Sequence, residues 1–376
     1  MKKFSVFLSL FLLLSCGKED NSLDLHLCQL DEVHDTLAAE ELFSTVRFIP
    51  LETTKESLIG KGAVFAFEDN DILIWSDNKI LHFDKNGTFI KRIGRKGNGH
   101  GEHGDIISAN YDKREKVVYV GSGGGVFNKY ALKGDFLGKF TAPFEDCEYW
   151  TSIWNDATGS LFLEARQYSD EGLKVSLIEL SSDGKKMNAY PLYSDNLQVN
   201  RSMTQTGALR QTEEGLLFML PFDDIVYCIK GNEVSKLITL NRGRYKPDRE
   251  LCENWDNRDK LYGTKISITN WLVTNKHYYM EGTFKNKAFD LIIDRKTNKI
   301  IHVRRNTWGL NEEHLKLEGM ERPFFWPWKS FGKKVVDIVP PEKFTQKELL
   351  YISSHGDSPY PIGEDMNPII VVAEEF

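Results

Sequence analysis

A short unit of strands and turns recurs along the chain, and this repeat limits the fold more than any other feature of the sequence. In its clearest copy, apolar strands over Ile72–Trp75, Ile80–Phe83 and Phe89–Ile93 surround an Asn86-Gly87 turn. An Asn-Gly pair closes a hairpin because both residues accept positive φ. The equivalent turn residues of the later copies are Gly134, Gly184, Gly231 and Asn298, at spacings of 47, 50, 47 and 67 residues.

Repeats of this length are typical of a β-propeller, in which four-stranded blades bury their faces against one another. The longest spacing indicates an insertion at Arg242–Lys265, and a sixth, degraded copy lies within Phe324–Val339, closed by Ile369–Val372. The sequence therefore predicts an all-β fold, a six-bladed β-propeller of four-stranded antiparallel blades. We expect Val46–Leu51 to complete the last blade and tie the ring shut. Two stacked all-β domains are the alternative, which the even spacing disfavours.

The first sixteen residues predict a bacterial lipoprotein signal. Lys2 and Lys3 precede Phe4–Leu14, which is apolar except for two serines. This stretch has the length of a secretory signal and is too short to span a bilayer. Leu13-Leu14-Ser15-Cys16 is similar to a lipobox, so we expect cleavage before Cys16 and attachment of acyl chains such as palmitate to it. The alternatives are an ordinary signal peptide with an incidental cysteine, or a short anchor.

These features divide the chain into a signal peptide (1–15), a tether (16–44) and the propeller (45–376, with the insertion at 242–265). Two or three acyl chains hold a protein stably on a membrane. We therefore predict that the protein binds the outer membrane through its N-terminal lipid. The run Gly17–Asn21 resembles the surface-export signal of some Gram-negative lipoproteins, although a solvated tether has a similar composition. We expect a lipid-anchored protein of the outer membrane, on the cell surface or on the periplasmic face.

The charge and the cysteines exclude several classes of site. Removal of the signal takes away Lys2 and Lys3, which changes the net charge from −7 to −9. A chain this acidic lacks the basic excess of a nucleic-acid binder. None of the four remaining cysteines has the spacing of a zinc site, and we expect buried free thiols rather than disulfides. They are Cys28, Cys147, Cys228 and Cys252.

Three segments resemble a known group of proteins. They are Phe48–Thr53, the stretch from Phe83 through Ile93-Gly94-Arg95-Lys96-Gly97 to Glu102, and Asn367–Val372. These are similar to the bacterial six-bladed β-propeller lipoproteins, which are NHL-repeat-like. His100 stands where that family usually has proline, and His103 where it usually has an aromatic residue. The resemblance implies a fold and a cellular address, and it implies no reaction.

Four segments are candidate sites. The aromatic run Phe324–Trp328 could bind a sugar or peptide, although aromatic residues more often fill a core. Arg242–Lys246 could bind an anion, although acidic residues follow it. His100, Glu102 and His103 could ligate a metal, and the glycines of Gly94–Gly104 could hold a phosphate, but an ordinary crossover between blades is favoured for both. The candidate ligand-binding residues are Phe325, Trp326, Trp328, Arg242 and Arg244, and we predict no catalytic or metal-binding residue.

The leading functional prediction is a non-catalytic binding or scaffold module for a protein, peptide or glycan partner. The alternative is a metal-dependent hydrolase or lyase with a site in the central channel. No cofactor is predicted for the first function, whereas the second needs a channel Ca²⁺ or Zn²⁺ held by several converging groups. The acidic residues near the predicted innermost strands are Glu68, Asp69, Asp105, Asp156, Glu213 and Glu214.

Overall fold

A computed structural model of the chain describes residues 22–24, 37–68, 70–143, 148–169, 172–192, 208–212, 215–219, 223–231, 233–253, 255–307, 315–322, 324–356, 359–363 and 365–376. The signal peptide and Cys16 lie outside these residues, as do Cys28, Cys147, Asp69, Glu213 and Glu214. The described strands form six antiparallel sheets of four strands, one of which carries an additional parallel strand. This arrangement confirms the predicted six-bladed β-propeller.

Five blades are continuous in sequence, and each contains four consecutive strands. Blade 1 contains β3 (Gly62–Phe67), β4 (Asp71–Ser76), β5 (Lys79–Asp84) and β6 (Phe89–Ile93). Blade 2 contains β7 (Ile106–Asp112), β8 (Val117–Ser122), β9 (Val126–Ala131) and β10 (Phe136–Thr141). Blade 3 contains β11 (Glu148–Asn155), β12 (Ser160–Ser169), β13 (Gly172–Leu180) and β14 (Lys186–Leu192). Blade 4 contains β15 (Ala208–Thr212), β16 (Gly215–Met219), β17 (Ile225–Lys230) and β18 (Glu233–Asn241). Blade 5 contains β19 (Ser267–Val273), β20 (His277–Phe284), β21 (Lys287–Asp294) and β22 (Lys299–Thr307).

Blade 6 joins the two ends of the propeller. It contains β23 (Lys329–Phe331), β24 (Lys334–Val339) and β25 (Ile369–Glu375), and its fourth strand is β2 (Phe43–Pro50) from the start of the described propeller. In the β2–β25 pair, Phe48 lies opposite Val371 and Ile49 opposite Ile370. The predicted closing strand is therefore confirmed.

The first strands of the six blades form the wall of a central channel. Each of these inner strands contacts the inner strand of the next blade, in the order β3, β7, β11, β15, β19 and β23, and β23 contacts β3. The sequence predicts that the innermost strands start near Phe65, Ile107, Ile153, Leu209, Trp271 and Phe325. The first five residues lie in inner strands, whereas Phe325 precedes β23 by four positions.

The apolar core is divided into six clusters, one between each pair of neighbouring blades. Between blades 3 and 4, for example, Phe162 packs with Leu177, Leu216 and Phe218. A strand that is apolar on both faces can be buried only between two other layers. This explains why second strands such as β4 and β16 contain continuous apolar runs in the sequence.

Helical segments occur outside the blades. The insertion contains α1 (Arg249–Glu253) and α2 (Arg258–Thr264), with 3₁₀ turns at Gly243–Tyr245 and Trp255–Asn257. After blade 6 has begun, α3 (Gln346–His355) follows a 3₁₀ turn at Pro341–Lys343, and two further turns cover Ala39–Glu41 and Gly123–Gly125. The repeat predicts strands and an insertion at Arg242–Lys265 but no helix, so the helices of both regions go beyond the prediction. Within the described residues, no helix has the length and apolarity needed to cross a membrane.

A short strand precedes the propeller. β1 (Ser22–Asp24) pairs in parallel with the outermost strand of blade 4, with Ser22 opposite Thr239 and Asp24 opposite Asn241. It lies within the segment that we interpreted as a tether. This pairing fixes the position at which the N-terminal segment meets the propeller.

Candidate functional site

Four inner strands carry a β-bulge, and in blades 2, 3 and 5 the bulge lies near the end at which the strand begins. The unpaired residues are Phe65, Ile107, Trp150 and Thr269, in blades 1, 2, 3 and 5. A bulge leaves one residue out of the ladder and redirects the backbone, and such bulges often occur next to binding sites. We call this end of the channel the rim. Ile107 is 41% exposed there, so it offers apolar surface at the rim.

A small depression opens at the rim between blades 2 and 3. Ile107, Phe127 and Tyr149 give it apolar walls, and hydroxyl groups come from Ser108, Thr151 and Ser152. An apolar surface with a few placed polar groups is the usual composition of a ligand site. We call this feature the rim depression.

A chain of hydrogen bonds orients the hydroxyl groups of the rim depression. The backbone N–H of Trp154 donates to Asn110 Oδ1 at 3.1 Å, and Asn110 Nδ2 donates to Ser152 Oγ at 2.6 Å. Ser152 Oγ then donates to Ser108 Oγ at 2.7 Å. Since Ser152 uses its only proton on Ser108, the Ser108 hydroxyl keeps its own proton for another acceptor. Within the described ranges, no protein group accepts that proton.

Two glycines keep the rim depression open. A Cβ at Gly121 would lie 2.4 Å from Ser108 Oγ, and one at Gly125 would lie 2.6 Å from Cε2 of Tyr149. Gly125 also has a φ of +71°, which other residues adopt only with strain. The glycine-rich segment between β8 and β9 was predicted to be a hairpin of blade 2, and it is one.

The aromatic candidates are divided between core and surface. Phe325 is fully buried beside Phe43, and Trp326 is 4% exposed beside Tyr279. Trp328 is 44% exposed and is the member of this run that offers a broad surface to a partner. The role of these residues in binding stays a prediction.

Arg242 lies at the base of the insertion and is almost fully buried. Its Nε atom donates to Asp224 Oδ1 at 2.6 Å, Nη1 to the carbonyl of Ile266 at 2.8 Å, and Nη2 to the carbonyl of Asp223 at 2.9 Å. This arginine therefore ties the insertion to blade 4. Arg244 is exposed, and its guanidinium lies 4.8 Å from the centre of the Tyr245 ring. An anion has access to Arg244 and not to Arg242.

The histidine loop before blade 2 is held by contacts within itself. Glu102 accepts a hydrogen bond from the backbone N–H of Gly99 at 2.8 Å, and His103 Nδ1 lies 2.9 Å from the carbonyl of Gly104. His103 is 1% exposed, and its burial lowers the pKa of the imidazole. His100 is exposed and packs its ring edge-on against Phe136. This loop serves as the crossover from blade 1 to blade 2.

Of the acidic residues considered for a channel metal, the three that the structure describes lie beside lysines. Lys113 Nζ lies 3.1 Å from Asp156 and 3.8 Å from Glu68, and Lys96 pairs with Asp105. Among the described residues, no three His, Cys, Asp or Glu side chains are grouped closely enough to hold a metal ion. The two cysteines in this part of the chain, Cys228 and Cys252, are buried free thiols. The channel metal stays a prediction.

The sequence did not indicate the residues that orient the rim depression. Asn110, Ser108 and Ser152 are ordinary polar residues in short inner strands, and their importance depends on the contact between two blades. The alternation of polar and apolar residues in Ile106–Asp112 was the one available signal. It predicts a strand but not which polar residue bonds across to the next blade.

Comparisons with known proteins give a family and a fold. A family model described as a domain of unknown function, DUF4934, matches residues 28–374. A crystal structure from Bacteroides fragilis, whose description records only an expected export, is 15% identical with a TM-score of 0.70. The match covers 92% of this chain and 98% of that chain. At this identity the likeness shows the fold alone.

Two other solved structures are less similar. A protein of unknown function from Bacteroides caccae is 12% identical, with a TM-score of 0.41 and coverage of 72% of this chain and 82% of that chain. BamB from Moraxella catarrhalis is 11% identical, with a TM-score of 0.40 and coverage of 71% and 68%. No curated protein matches the chain.

Proposed function

The chain belongs to the DUF4934 family, whose description assigns no activity, and we propose that it is an exported, lipid-anchored β-propeller that binds a peptide, protein or glycan partner at the rim of its channel. In this proposal the propeller recognises its partner and does not transform it. The observation that carries the proposal is the rim depression, where an exposed Ile107 stands beside the Ser108 hydroxyl, which the described protein leaves without an acceptor.

The chemistry of the rim depression suits a partner with both apolar and polar groups. Tyr149 and Phe127 provide aromatic contact area, and aromatic side chains bind well at surfaces that are partly apolar and partly wet. Ser108 would donate a hydrogen bond to a carbonyl or hydroxyl oxygen of the partner. The depression is too small to enclose a side chain or a sugar ring, so the surrounding rim would supply most of the contact.

The N-terminal sequence supports the proposed address. The leader ends in a lipobox-like sequence before Cys16, and the structurally similar Bacteroides fragilis protein is described by its expected export. Five residues lie between Cys16 and Ser22, and the six Cα-to-Cα steps span at most about 20 Å. Since β1 pairs with β18, lipid on Cys16 would hold the outer edge of blade 4 close to the membrane.

Lipid attachment is tested by metabolic labelling with radioactive palmitate in a Gram-negative host. We expect label on the wild-type protein and on Cys28→Ser, and none on Cys16→Ser, because only Cys16 follows the lipobox-like sequence. Equal labelling of all three proteins, or of none, would contradict the proposed anchor.

Binding at the rim is tested with the chain from residue 20 onward on peptide and glycan arrays. Ile107→Asp places a charge in the rim depression, and we expect it to weaken binding by about tenfold or more, because an apolar contact is replaced by a desolvated carboxylate. The matched control is Leu137→Asp, since Leu137 is also exposed but lies on the outermost strand of blade 2. If both variants bind their ligand like the wild type, the rim depression is not the site.

A further inference from the structure

Two positively charged side chains lie on the inner strands of blades 4 and 6. Arg210 is in β15 and Lys329 is in β23, and both strands contact β19, the inner strand of blade 5. Both side chains are half-buried. The two cations therefore flank one strand of the channel wall, in a protein whose overall charge is negative.

Hydrogen bonds to blade 5 hold the guanidinium of Arg210 in place. Nε donates to the carbonyl of Trp271 and Nη2 donates to Asn270 Oδ1, both at 2.8 Å. Nη1 donates to the carbonyl of Leu209 at 2.8 Å. A guanidinium has five N–H groups, so two of them remain for another acceptor. The position of this charge is thus set before any ligand binds.

Glu281, the acid whose charge acts on Arg210, is partly engaged by an amide. Glu281 Oε2 accepts a hydrogen bond from Asn270 Nδ2 at 2.8 Å. Its charge raises the pKa of Arg210, but burial lowers that pKa more, to about 10. The negative charge of Glu281 therefore does not fully offset the cost of burying the Arg210 cation.

Lys329 has no counter-charge within the described protein. None of the described residues accepts a hydrogen bond from its ammonium group or forms an ion pair with it. Burial and the positive charge of Arg210 lower the pKa of Lys329 to about 8, and no acid opposes that shift. Because β15 and β23 both contact β19, the two cations belong to the same sector of the channel wall. Keeping two like charges there is costly unless an anion accompanies them.

We propose that Lys329 and Arg210 form a binding site inside the channel for a small anionic group, either a carboxylate or a phosphate. The Lys329 ammonium offers three donors, and the free N–H groups of Arg210 offer two more. Charge-assisted hydrogen bonds of this kind are about twice as strong as neutral ones. The site goes beyond the proposed function, because it depends neither on the lipid anchor nor on the rim depression.

Calorimetric titration of the mature chain with inorganic phosphate and, separately, with succinate tests the site. We expect saturable binding of at least one of the two anions by the wild type, and the anion that binds identifies the ligand class. Lys329→Gln should weaken that binding by about tenfold or more, whereas Lys329→Arg should retain it because the charge is kept. The matched control is Lys333→Gln, since Lys333 is exposed on the same hairpin.

The outcomes that would overturn the site are equally specific. Binding of neither anion, or an equal loss in Lys329→Gln and Lys333→Gln, would mean that the channel cations hold no ligand. Should Lys329→Gln fail to fold, Lys329→Arg and Arg210→Lys decide the matter, because the first should bind and the second should bind more weakly. Rim binding by Ile107→Asp is measured independently, so failure of the channel site leaves the proposed function standing, and the reverse also holds.

Discussion

Glu375 joins the last strand of the chain to blade 5. Its Oε1 atom accepts hydrogen bonds from Thr274 Oγ1 at 2.9 Å, from Tyr279 Oη at 2.8 Å and from His277 Nδ1 at 2.8 Å. All four side chains are buried. Burial and the nearby carboxylate raise the pKa of Tyr279 well above its usual value, which keeps the phenol protonated as a donor.

We expect Glu375→Ala to lower the free energy of unfolding by about 3 kcal/mol, because three buried donors would lose one charged acceptor. Denaturant unfolding measures the loss. Glu374→Ala is the control, because the side chain of Glu374 is half-buried and takes no part in this cluster. A loss in Glu374→Ala as large as in Glu375→Ala would mean that the strand, and not the carboxylate, provides the stability.

At the level of single residues, the sequence predicted burial better than partners. Large aromatic residues were expected to fill the gaps between blades, and Phe325 and Trp326 do so. Arg242 was a candidate for binding an anion, yet its partners come from Asp223, Asp224 and Ile266. These partners lie 18 to 24 positions away from Arg242 in the sequence. The local spacing of residues contains no information about such contacts.

Turns, in contrast, were predictable because their chemistry is local. Gly87, Gly134, Gly184 and Gly231 all have positive φ, as the spacing of the repeat required. The helices of the insertion were missed because they are only five and seven residues long. No amphipathic period can be recognised over so short a stretch. Their burial depends on contacts made among Leu251, Cys252 and Leu261.

Gly87 also fixes the approach of blade 1 to the closing strand. With a φ of +83°, a Cβ at this position would lie 2.2 Å from the carbonyl oxygen of Pro50 in β2. We expect Gly87→Ala to destabilise the protein by about 3 kcal/mol, which combines backbone strain with a steric clash. Thermal unfolding measures the effect.

The matched control for Gly87→Ala is Gly124→Ala. Gly124 has a φ of +72°, and a Cβ there would meet no atom within 4 Å. Its substitution therefore carries the conformational cost alone, about 1 kcal/mol. If the two variants unfold at the same temperature, the contact between Gly87 and Pro50 contributes nothing to stability.

On the scale of the whole molecule, closure of the ring depends on segments from opposite ends of the chain. β2 is the outermost strand of blade 6. It pairs with β25 along its length, from Phe43, which lies opposite Glu375, to Pro50, which lies opposite Ile369. Apolar clusters fill all six gaps between blades. The number of blades and the closing strand could be predicted because the repeat spans the whole chain. The channel cations could not, since Arg210 and Lys329 are separated by more than a hundred residues.

The same topology predicts how far the N-terminus can be shortened. A chain that begins at residue 37 keeps β2 and, of the described elements, loses β1, whose three backbone pairs lie at the outer edge of blade 4. We expect it to fold and to melt within about 5 °C of the chain from residue 20, since the loss of a few exposed edge contacts costs about 1 kcal/mol or less. A chain that begins at residue 51 lacks β2, and it should lose cooperative unfolding.

The reason for that loss is that removing β2 affects two interfaces at once. The edge of β25 would lose its partner, and Phe43 and Phe48 would be removed from the cluster between blades 5 and 6. An unpaired, apolar strand edge also promotes association between molecules. Calorimetry and size-exclusion chromatography of the two shortened chains measure both effects. Cooperative unfolding of the chain from residue 51 as a monomer would contradict this prediction. It would show that five blades and the three remaining strands of blade 6 close the ring without β2, and that the clusters between blades are enough to stabilise it.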